Sequence, residues 1–160
     1  METYQVGLIA LGVFGIFAII ASVAWRRRIS AQQLGLAAPV AIESSLAGQS
    51  CFYVATTFSD RPLEKVIAHG LAHRGHARLT VSGNGLEVSR TGELCFLIPR
   101  ADLLEVSLAS AVIDRAVEKE GLVVIKWRLG AVELQTHFRF VDSSSRTTII
   151  EALRPLVGAR

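Results

Sequence analysis

Basic and imidazole side chains cluster between residues 65 and 78, and this cluster is the part of the sequence best suited to binding a ligand. Its members are Lys65, His69, His73, Arg74, His76 and Arg78. Ammonium and guanidinium groups bind phosphate and carboxylate oxygens, and imidazoles can assist them or coordinate a metal. The cluster therefore predicts a contact surface for an anionic ligand, a lipid surface or a protein partner.

The histidine spacing raises the question of a metal site. His69 and His73 are four residues apart and His76 follows three later, so three imidazoles could complete a zinc site if one face presented them together. Two glycines interrupt any helix across this stretch, and the alternation of the following strand places His76 on a polar face. We therefore expect solvated histidines and no bound metal.

The sequence carries no catalytic signature. Walker loops, nucleophile elbows and dinucleotide-binding glycine motifs are all missing from it. Cys51 and Cys95 are the two cysteines, and each lies in an apolar run. Such thiols behave as small hydrophobes, so we expect both to be reduced, with a disulfide as the alternative if the domain faced an oxidising compartment. We predict no enzyme activity and no cofactor.

An uncharged apolar segment opens the sequence, and three arginines follow it at once. No side chain from Thr3 to Trp25 carries a charge, and roughly 20 apolar residues span a hydrocarbon core of about 30 Å. By the positive-inside rule the arginines remain in the cytoplasm, where they also attract anionic lipid. They are Arg26, Arg27 and Arg28.

The alternative interpretation of this segment is a cleavable signal peptide. Ser22-Val23-Ala24 fits the small-x-small pattern that precedes a cleavage site, but the leader carries Glu2 where a signal peptide carries positive charge. We therefore predict a retained single-pass anchor over residues 4–25. The N-terminus would lie outside the inner (plasma) membrane and the rest of the chain in the cytoplasm.

Composition limits the remaining function classes. The chain has 160 residues, of which 51% are hydrophobic, and a formal net charge of +3. Without the three arginines and Glu2, residues 29–160 carry 14 basic and 13 acidic side chains. A nucleic-acid-binding face needs clustered positive charge, so we expect no nucleic-acid partner. The length leaves room for one domain behind the anchor.

Residues 26–50 are predicted to form a basic flank and a flexible tether. After the arginines this stretch is rich in Ala, Ser, Gln and Gly, and Pro39 is expected to stop any helix that continues from the membrane. A flexible coil of this length would hold the following domain about 25 Å from the bilayer on average.

Residues 51–158 form the predicted domain, in which seven segments show the period-two alternation of half-buried strands. Gly83-Asn84-Gly85 and Gly130-Ala131 are typical of tight hairpins. The predicted strands are Cys51–Phe58, His76–Ser82, Leu86–Arg90, Glu93–Pro99, Leu103–Ser110, Leu122–Leu129 and Val132–Phe140.

Two helices are predicted beside the strands. A short one begins at a Ser59-Asp60 cap and tolerates Pro62 in its first turn. Its apolar side would consist of Leu63, Val66 and Ile67. The second begins at an Asp142-Ser143 cap, carries an apolar stripe and ends near Pro155.

Seven antiparallel strands followed by an amphipathic helix resemble a pleckstrin-homology-like (PH-like) domain, a bent barrel whose open end is plugged by the last helix. With its N-terminal anchor, the sequence is similar to small actinobacterial membrane proteins that carry a cytoplasmic PH-like domain. The matching positions are Gly70-Leu71, Arg74-Gly75, Ala77-Arg78-Leu79, Val81, Gly85-Leu86, Arg90, Ile98-Pro99 and Leu103.

The resemblance implies a mainly β fold with helices: a transmembrane helix plus a seven-stranded antiparallel barrel capped by a C-terminal helix. It also implies a non-catalytic interaction or scaffolding module at the cytoplasmic face, in contact with membrane lipid and a protein partner. Some of the similar proteins are loosely labelled export proteins. The alternatives are therefore an accessory subunit of a membrane transport or export complex, or a lipid- or metal-sensing module.

The resemblance also bears on the basic cluster. In PH domains that bind phosphoinositides, a lysine and a closely spaced pair of arginines hold the headgroup near the loop between the first two strands. Here Lys65, Arg74 and Arg78 are present, but the arginines are four residues apart and His76 lies where a paired arginine is needed. The departure favours general contact with anionic lipid over specific phosphoinositide binding.

Overall fold

The computed structural model describes residues 3–109, 111–112, 115–116 and 122–157. Within these ranges an N-terminal helix α1 (Thr3–Gly35) precedes ten strands, and helix α2 (Ser143–Leu153) comes last. The seven predicted strands are all present. The full set is β1 (Val40–Ala41), β2 (Gln49–Phe58), β3 (Gly75–Ser82), β4 (Gly85–Arg90), β5 (Phe96–Pro99), β6 (Leu103–Ala109), β7 (Ala111–Val112), β8 (Arg115–Ala116), β9 (Leu122–Leu129) and β10 (Val132–Arg139).

Eight strands form one antiparallel sheet in the order β1-β5-β4-β3-β2-β10-β9-β6, which is consistent with a PH-like fold. The predicted barrel is an open sheet, in which the edge strands β1 and β6 do not pair with each other among the described residues. The reason lies at β5, where Val40 and Ala41 of β1 pair with Leu97 and Phe96. β1 therefore occupies the side of β5 that a closed barrel would pair with β6.

The core lies between the two halves of the bent sheet and is organised around large aromatic side chains. Trp127 is 1% exposed and stacks on Phe96 with ring centroids 5.8 Å apart. Tyr53 meets Phe138 edge to face. The Trp127 Nε1–H donates a 2.8 Å hydrogen bond to Thr136 Oγ1, so the one polar atom of the indole is satisfied in the interior.

Helix α2 begins where the sequence predicts. The Asp142 carboxylate accepts hydrogen bonds from the backbone N–H groups of Ser144 and Ser145, which satisfies two donors that a helix N-terminus leaves unpaired. The helix contacts β2 and β3 and ends two residues before Pro155, as expected. Its two buried side chains are Ile149 and Leu153.

The predicted short helix after Ser59-Asp60 does not form. The chain there is an irregular loop that ends in a 3-10 turn at Ala68–Gly70. Its backbone bonds to β2 instead, since the Val66 N–H donates to Thr56 O at 2.9 Å. Val66 is consequently buried, whereas Leu63 is 80% exposed.

The segment between the anchor and the sheet also differs from the predicted flexible tether. Helix α1 runs without interruption to Gly35, and the next residue, Leu36, is part of the hydrophobic core. Pro39 follows the helix in a buried position, and β1 begins immediately after it. Long-range packing therefore orders a stretch whose composition alone suggested a loose coil.

Replacement of Trp127 by alanine tests whether its side chain lies in the core. We expect Trp127→Ala to lower the free energy of unfolding by about 3–5 kcal/mol, because it leaves a large cavity and removes the donor to Thr136. Denaturant unfolding of the full chain in detergent, followed by circular dichroism, measures this loss. Val141→Ala, at a residue that is 97% exposed, is the matched control and should leave the midpoint unchanged. An unaltered midpoint in the Trp127 variant would contradict the core described above.

The capping carboxylate predicts a pH dependence. Hydrogen bonds from the Ser144 hydroxyl, and then from Ser145, lower the pKa of Asp142 from 3.8 to about 2. A lowered folded-state pKa stabilises the fold above the unfolded value and loses that effect as the pH falls through the folded value. Asp142→Ala should therefore melt at a lower temperature than the parent at pH 7, and the difference should vanish between pH 4 and pH 2. A difference that stays constant across this range would contradict the capping role.

Candidate membrane-proximal site

Helix α1 presents a long apolar surface that the sheet does not cover. Residues Gly7–Arg27 have a mean hydropathy of 2.5, and none of this 21-residue stretch is buried. At 1.5 Å per residue it extends about 31 Å, the thickness of a bilayer core. In the part of the chain that the structure describes, it is the one helix long and apolar enough to cross a membrane. Signal sequences near an N-terminus share these properties.

The remainder of α1 connects this apolar stretch directly to the sheet. Residues 28–35 add about 12 Å of helix, which is roughly twice the thickness of the headgroup layer of one leaflet, about 5–8 Å. Leu36 then enters the core, and the His69 ring donates a hydrogen bond to Leu36 O at 3.2 Å. The β2–β3 loop is therefore joined to the end of α1.

His69 makes this connection from an unusual backbone conformation. Its φ of 55° and ψ of 24° lie in the left-handed region, which costs a residue with a Cβ roughly 1–2 kcal/mol. The 3-10 turn that contains it contacts α1. The bond to Leu36 and the packing of the turn offset the strain, so His69 helps to join the loop to the helix.

A cleft of about 860 Å³ opens between α1 and the β2–β3 loop. Its wall on the helix side is Trp25, which lies near the end of the apolar stretch. Arg61 contributes from the loop, where its guanidinium bonds to Glu64 at 2.7 Å and lies 4.5 Å from the centroid of the Phe58 ring. The lining residues are Trp25, Arg61, Pro62, Leu63, Glu64, Lys65, Ile67, Ala72 and His73.

The structure divides the predicted basic cluster between two places. Lys65 and His73 line the cleft beside Trp25, whereas His76 and Arg78 lie on β3 and line a second cavity on the outer face of the sheet. The other two members are His69, bonded to Leu36, and Arg74, which is exposed in the loop.

The three histidines of the cluster do not lie close enough together to form a metal site. His73 Nδ1 lies 3.0 Å from Glu93 Oε1, and His76 packs edge to face on Phe52. His69 instead faces the end of α1. Among the described residues there is no group of three or more His, Cys, Asp or Glu side chains placed to hold a metal ion.

Arg90 is a buried residue of the site that the sequence indicated only as a position of the fold. Its side chain is 2% exposed, and its guanidinium lies 4.4 Å from the centroid of the Tyr53 ring. Nη2 donates to Gly70 O at 2.9 Å and lies 3.4 Å from Glu93 Oε2. Because Glu93 also contacts His73, Arg90 fixes the β2–β3 loop from inside. The sequence signal for this role was that Arg90 occupies an inward-facing position in the alternating pattern of its strand.

Two of the membrane-flank arginines can be placed. Arg26 and Arg27 are exposed on α1, directly after Trp25. The side chain of Arg28 lies outside the described residues. The two placed arginines therefore follow directly after Trp25, the residue of α1 that lines the cleft.

Both cysteines are free and buried. Burial raises the pKa of the Cys51 thiol to about 12, so this thiol is protonated and unreactive at neutral pH. Cys95 Sγ accepts a hydrogen bond from the Arg90 backbone N–H at 3.2 Å. An exposed cysteine introduced elsewhere would thus be a selective labelling position.

Comparison with protein families gives a match over most of the chain. The model of a family described as Bacterial PH domain-like matches residues 33–154. Neither the curated proteins nor the solved structures contain a match. The matched segment begins before Leu36 and β1, so it includes the stretch that the structure packs against the sheet.

Removal of the buried guanidinium tests the role of Arg90. Arg90→Met leaves Gly70 O without its donor, so we expect a loss of about 1–3 kcal/mol in unfolding free energy. Hydrogen exchange of the backbone amides at residues 68–73 should also become faster. Arg100→Met changes an exposed arginine and should alter neither quantity. Unchanged exchange in the Arg90 variant would show that the loop is held by other contacts.

Proposed function

The chain belongs to the Bacterial PH domain-like family, and on that premise we propose that it is a non-catalytic interaction module held against the cytoplasmic leaflet by a retained membrane anchor. PH-like domains are generally interaction modules without enzyme activity. The observation that carries the proposal is the unbroken path from an uncovered apolar helix to the core residue Leu36.

The short connection determines how close the domain lies to the bilayer. A tether would let it diffuse tens of ångströms away, but the helical stub of residues 28–35 keeps it within about 12 Å of Arg27. The cleft supports the same distance, because Trp25 and the β2–β3 loop line it together. Tryptophan rings prefer the headgroup level of a membrane, so the cleft opens at that level.

The cleft lining suits a lipid molecule. Trp25, Leu63 and Ile67 supply apolar surface for acyl chains. Arg61 and Lys65 line the cleft together with Glu64, which pairs with Arg61 at 2.7 Å, so the lining carries one lysine or arginine more than carboxylates where phosphate groups of lipids lie. We therefore infer that the β2–β3 loop rests on anionic lipid. A protein partner would then bind the parts of the domain that face away from the bilayer.

The arginines after Trp25 support a cytoplasmic position for the domain. Positive residues within a short distance of a membrane-spanning helix are retained on the cytoplasmic side. Three of them follow the apolar stretch, and the residues before it include one acidic side chain and no basic one. The domain, which follows the arginines, would share their side.

A second candidate function follows from a groove on α1 itself. A shallow cavity of about 260 Å³ lies along the helix and is lined by Ala18, Ile19, Ser22, Val23 and Arg26. Ala18 and Ser22 are small residues four positions apart, a spacing that permits close helix packing, and the Ser22 hydroxyl is satisfied because Oγ donates to Ala18 O at 2.7 Å. This favours an accessory subunit of a membrane transport or export complex. Crosslinks to a multispanning protein from position 18, but not from the sheet, would distinguish it.

A spin label at Leu63 tests the proposed contact with the bilayer. In the full chain reconstituted in lipid nanodiscs, a nitroxide on Leu63→Cys should collide more with membrane-soluble oxygen than with a water-soluble nickel chelate. Val141→Cys is the matched control, because it is also exposed and follows the end of β10 opposite the turn at Gly130, which approaches Ala37. Its label should favour the nickel chelate. Equal preference for water at both positions would contradict the proposal.

The Val141→Cys variant also reports on which side of the membrane the domain lies. In right-side-out membrane vesicles, Val141→Cys should react with a membrane-impermeant maleimide only after the bilayer is disrupted. Reaction in sealed vesicles would place the domain outside the membrane.

A further inference from the structure

The two edges of the large sheet differ in how well they are protected against pairing with another strand. At one edge β1 has two residues and directly follows Pro39, and both short length and proline limit such pairing. At the other edge β6 has seven residues, with no proline and no lysine. No described residue pairs with the outer side of β6. The backbone N–H and C=O groups on that side are therefore suited to binding a further strand.

The side chains of β6 alternate between two environments. Val106 and Leu108 lie opposite core residues of β9. Val106 packs against the core, whereas Leu108 is 43% exposed. Glu105 and Ser107 lie on the other face and are exposed. A strand added beside β6 would cover Leu108 if apolar side chains occupied every second position of that strand.

Glu105 determines which charge suits the other face of an added strand. It is the one charged side chain of β6 and lies opposite Lys126 in the ladder with β9. The Lys126 ammonium bonds to Glu133 of β10 at 2.8 Å, on the side away from β6. Opposite charges on adjacent strands stabilise a sheet, so an added strand should place a lysine or arginine beside Glu105.

β6 begins at the end of the sheet that the proposed function turns toward the bilayer. The β2–β3 loop leaves β2 at this end, where the Ser59 N–H donates to Glu133 O near the start of β10 at 3.0 Å. β6 starts there as well, since Leu103 lies opposite Trp127 near the end of β9. The strand then extends about 20 Å from that end, so its free edge runs from the bilayer surface into the cytoplasm.

This orientation, which rests on the proposed function, excludes a second copy of the chain as the occupant of the edge. Two identical edges pair symmetrically as antiparallel strands, and an antiparallel copy would turn its β2–β3 loop away from the bilayer. Parallel copies related by a two-fold axis would place donors opposite donors. The occupant is therefore a segment of a different protein.

We propose that the outer side of β6 is a docking edge for an extended segment of a cytoplasmic protein, which adds one strand to the sheet. Backbone hydrogen bonds supply the affinity. Alternating apolar side chains that cover Leu108, with basic side chains facing Glu105, supply the specificity. The protein partner of the proposed interaction module is thereby assigned a surface and a chemistry.

A fluorescein-labelled peptide of seven alternating valines and lysines is the probe for this edge. Titrated with the full chain in a maltoside detergent, it should show saturable binding by fluorescence anisotropy. The bound peptide should slow hydrogen exchange of the backbone amides in residues 103–109. A control peptide with the same side chains but N-methyl groups on its peptide nitrogens should bind about tenfold more weakly, because it lacks the backbone donors of a ladder.

Charge reversal at Glu105 tests the specificity. Glu105→Lys should weaken binding of the valine–lysine peptide about fivefold and should favour a valine–glutamate peptide by a similar factor. Glu151→Lys is the matched control, since Glu151 is exposed on α2, a helix that contacts β2 and β3. It should bind the valine–lysine peptide like the parent. Circular dichroism and melting curves check that both variants fold.

The absence of saturable binding, or equal binding of the N-methylated peptide, would overturn the proposal. Equal weakening in the two charge-reversal variants would also overturn it, because that result would indicate diffuse charge attraction. A dimer that protects residues 103–109 without any peptide would assign the edge to a second copy instead.

The peptide titration and the spin label at Leu63 separate this proposal from the proposed function. The titration needs no bilayer, so a failure to bind peptide while the Leu63 label lies in lipid would contradict the docking edge alone. Peptide binding at β6 with the Leu63 label in water would contradict the bilayer contact alone.

Discussion

The apolar surface of α1 is the constraint on which the rest of the structure depends. None of Gly7–Arg27 is buried against the sheet, and apolar surface left in water costs about 25 cal/mol per Å². A bilayer removes that cost. Because α1 continues without a break to Leu36 in the core, insertion of the helix in a bilayer, as we propose, would also fix where the sheet lies. The position of the β2–β3 loop then follows from helix geometry.

The β2–β3 loop is held from two directions, and this is what gives the irregular segment a defined shape. From the helix side, His69 bonds to Leu36 O despite its left-handed backbone. From the sheet side, the buried Arg90 bonds to Gly70 O. Such a loop loses less entropy when it meets a surface than a free loop would. A fixed loop beside Trp25 is suited to the proposed role of an interaction module at a membrane.

Local patterns in the sequence predicted the seven main strands and α2, since period-two alternation and the Asp142 cap act over a few residues. The open sheet and the ordered connector were not predicted, because they depend on β1 pairing with β5, a contact between residues more than fifty positions apart. The prediction of a short helix after Ser59-Asp60 was wrong for a similar reason, because the backbone of Val66 bonds to β2. The basic cluster was divided because residues close in sequence lie on different faces. His73 belongs to a loop and Arg78 to the outer face of a strand.

Retention of α1 is the claim that the proposed function requires, and the intact mass of the chain in carbonate-washed membranes tests it most directly. The account predicts a membrane-bound chain that still contains the whole apolar stretch before Trp25. A chain whose first residue is Trp25, released into the soluble fraction, would contradict it.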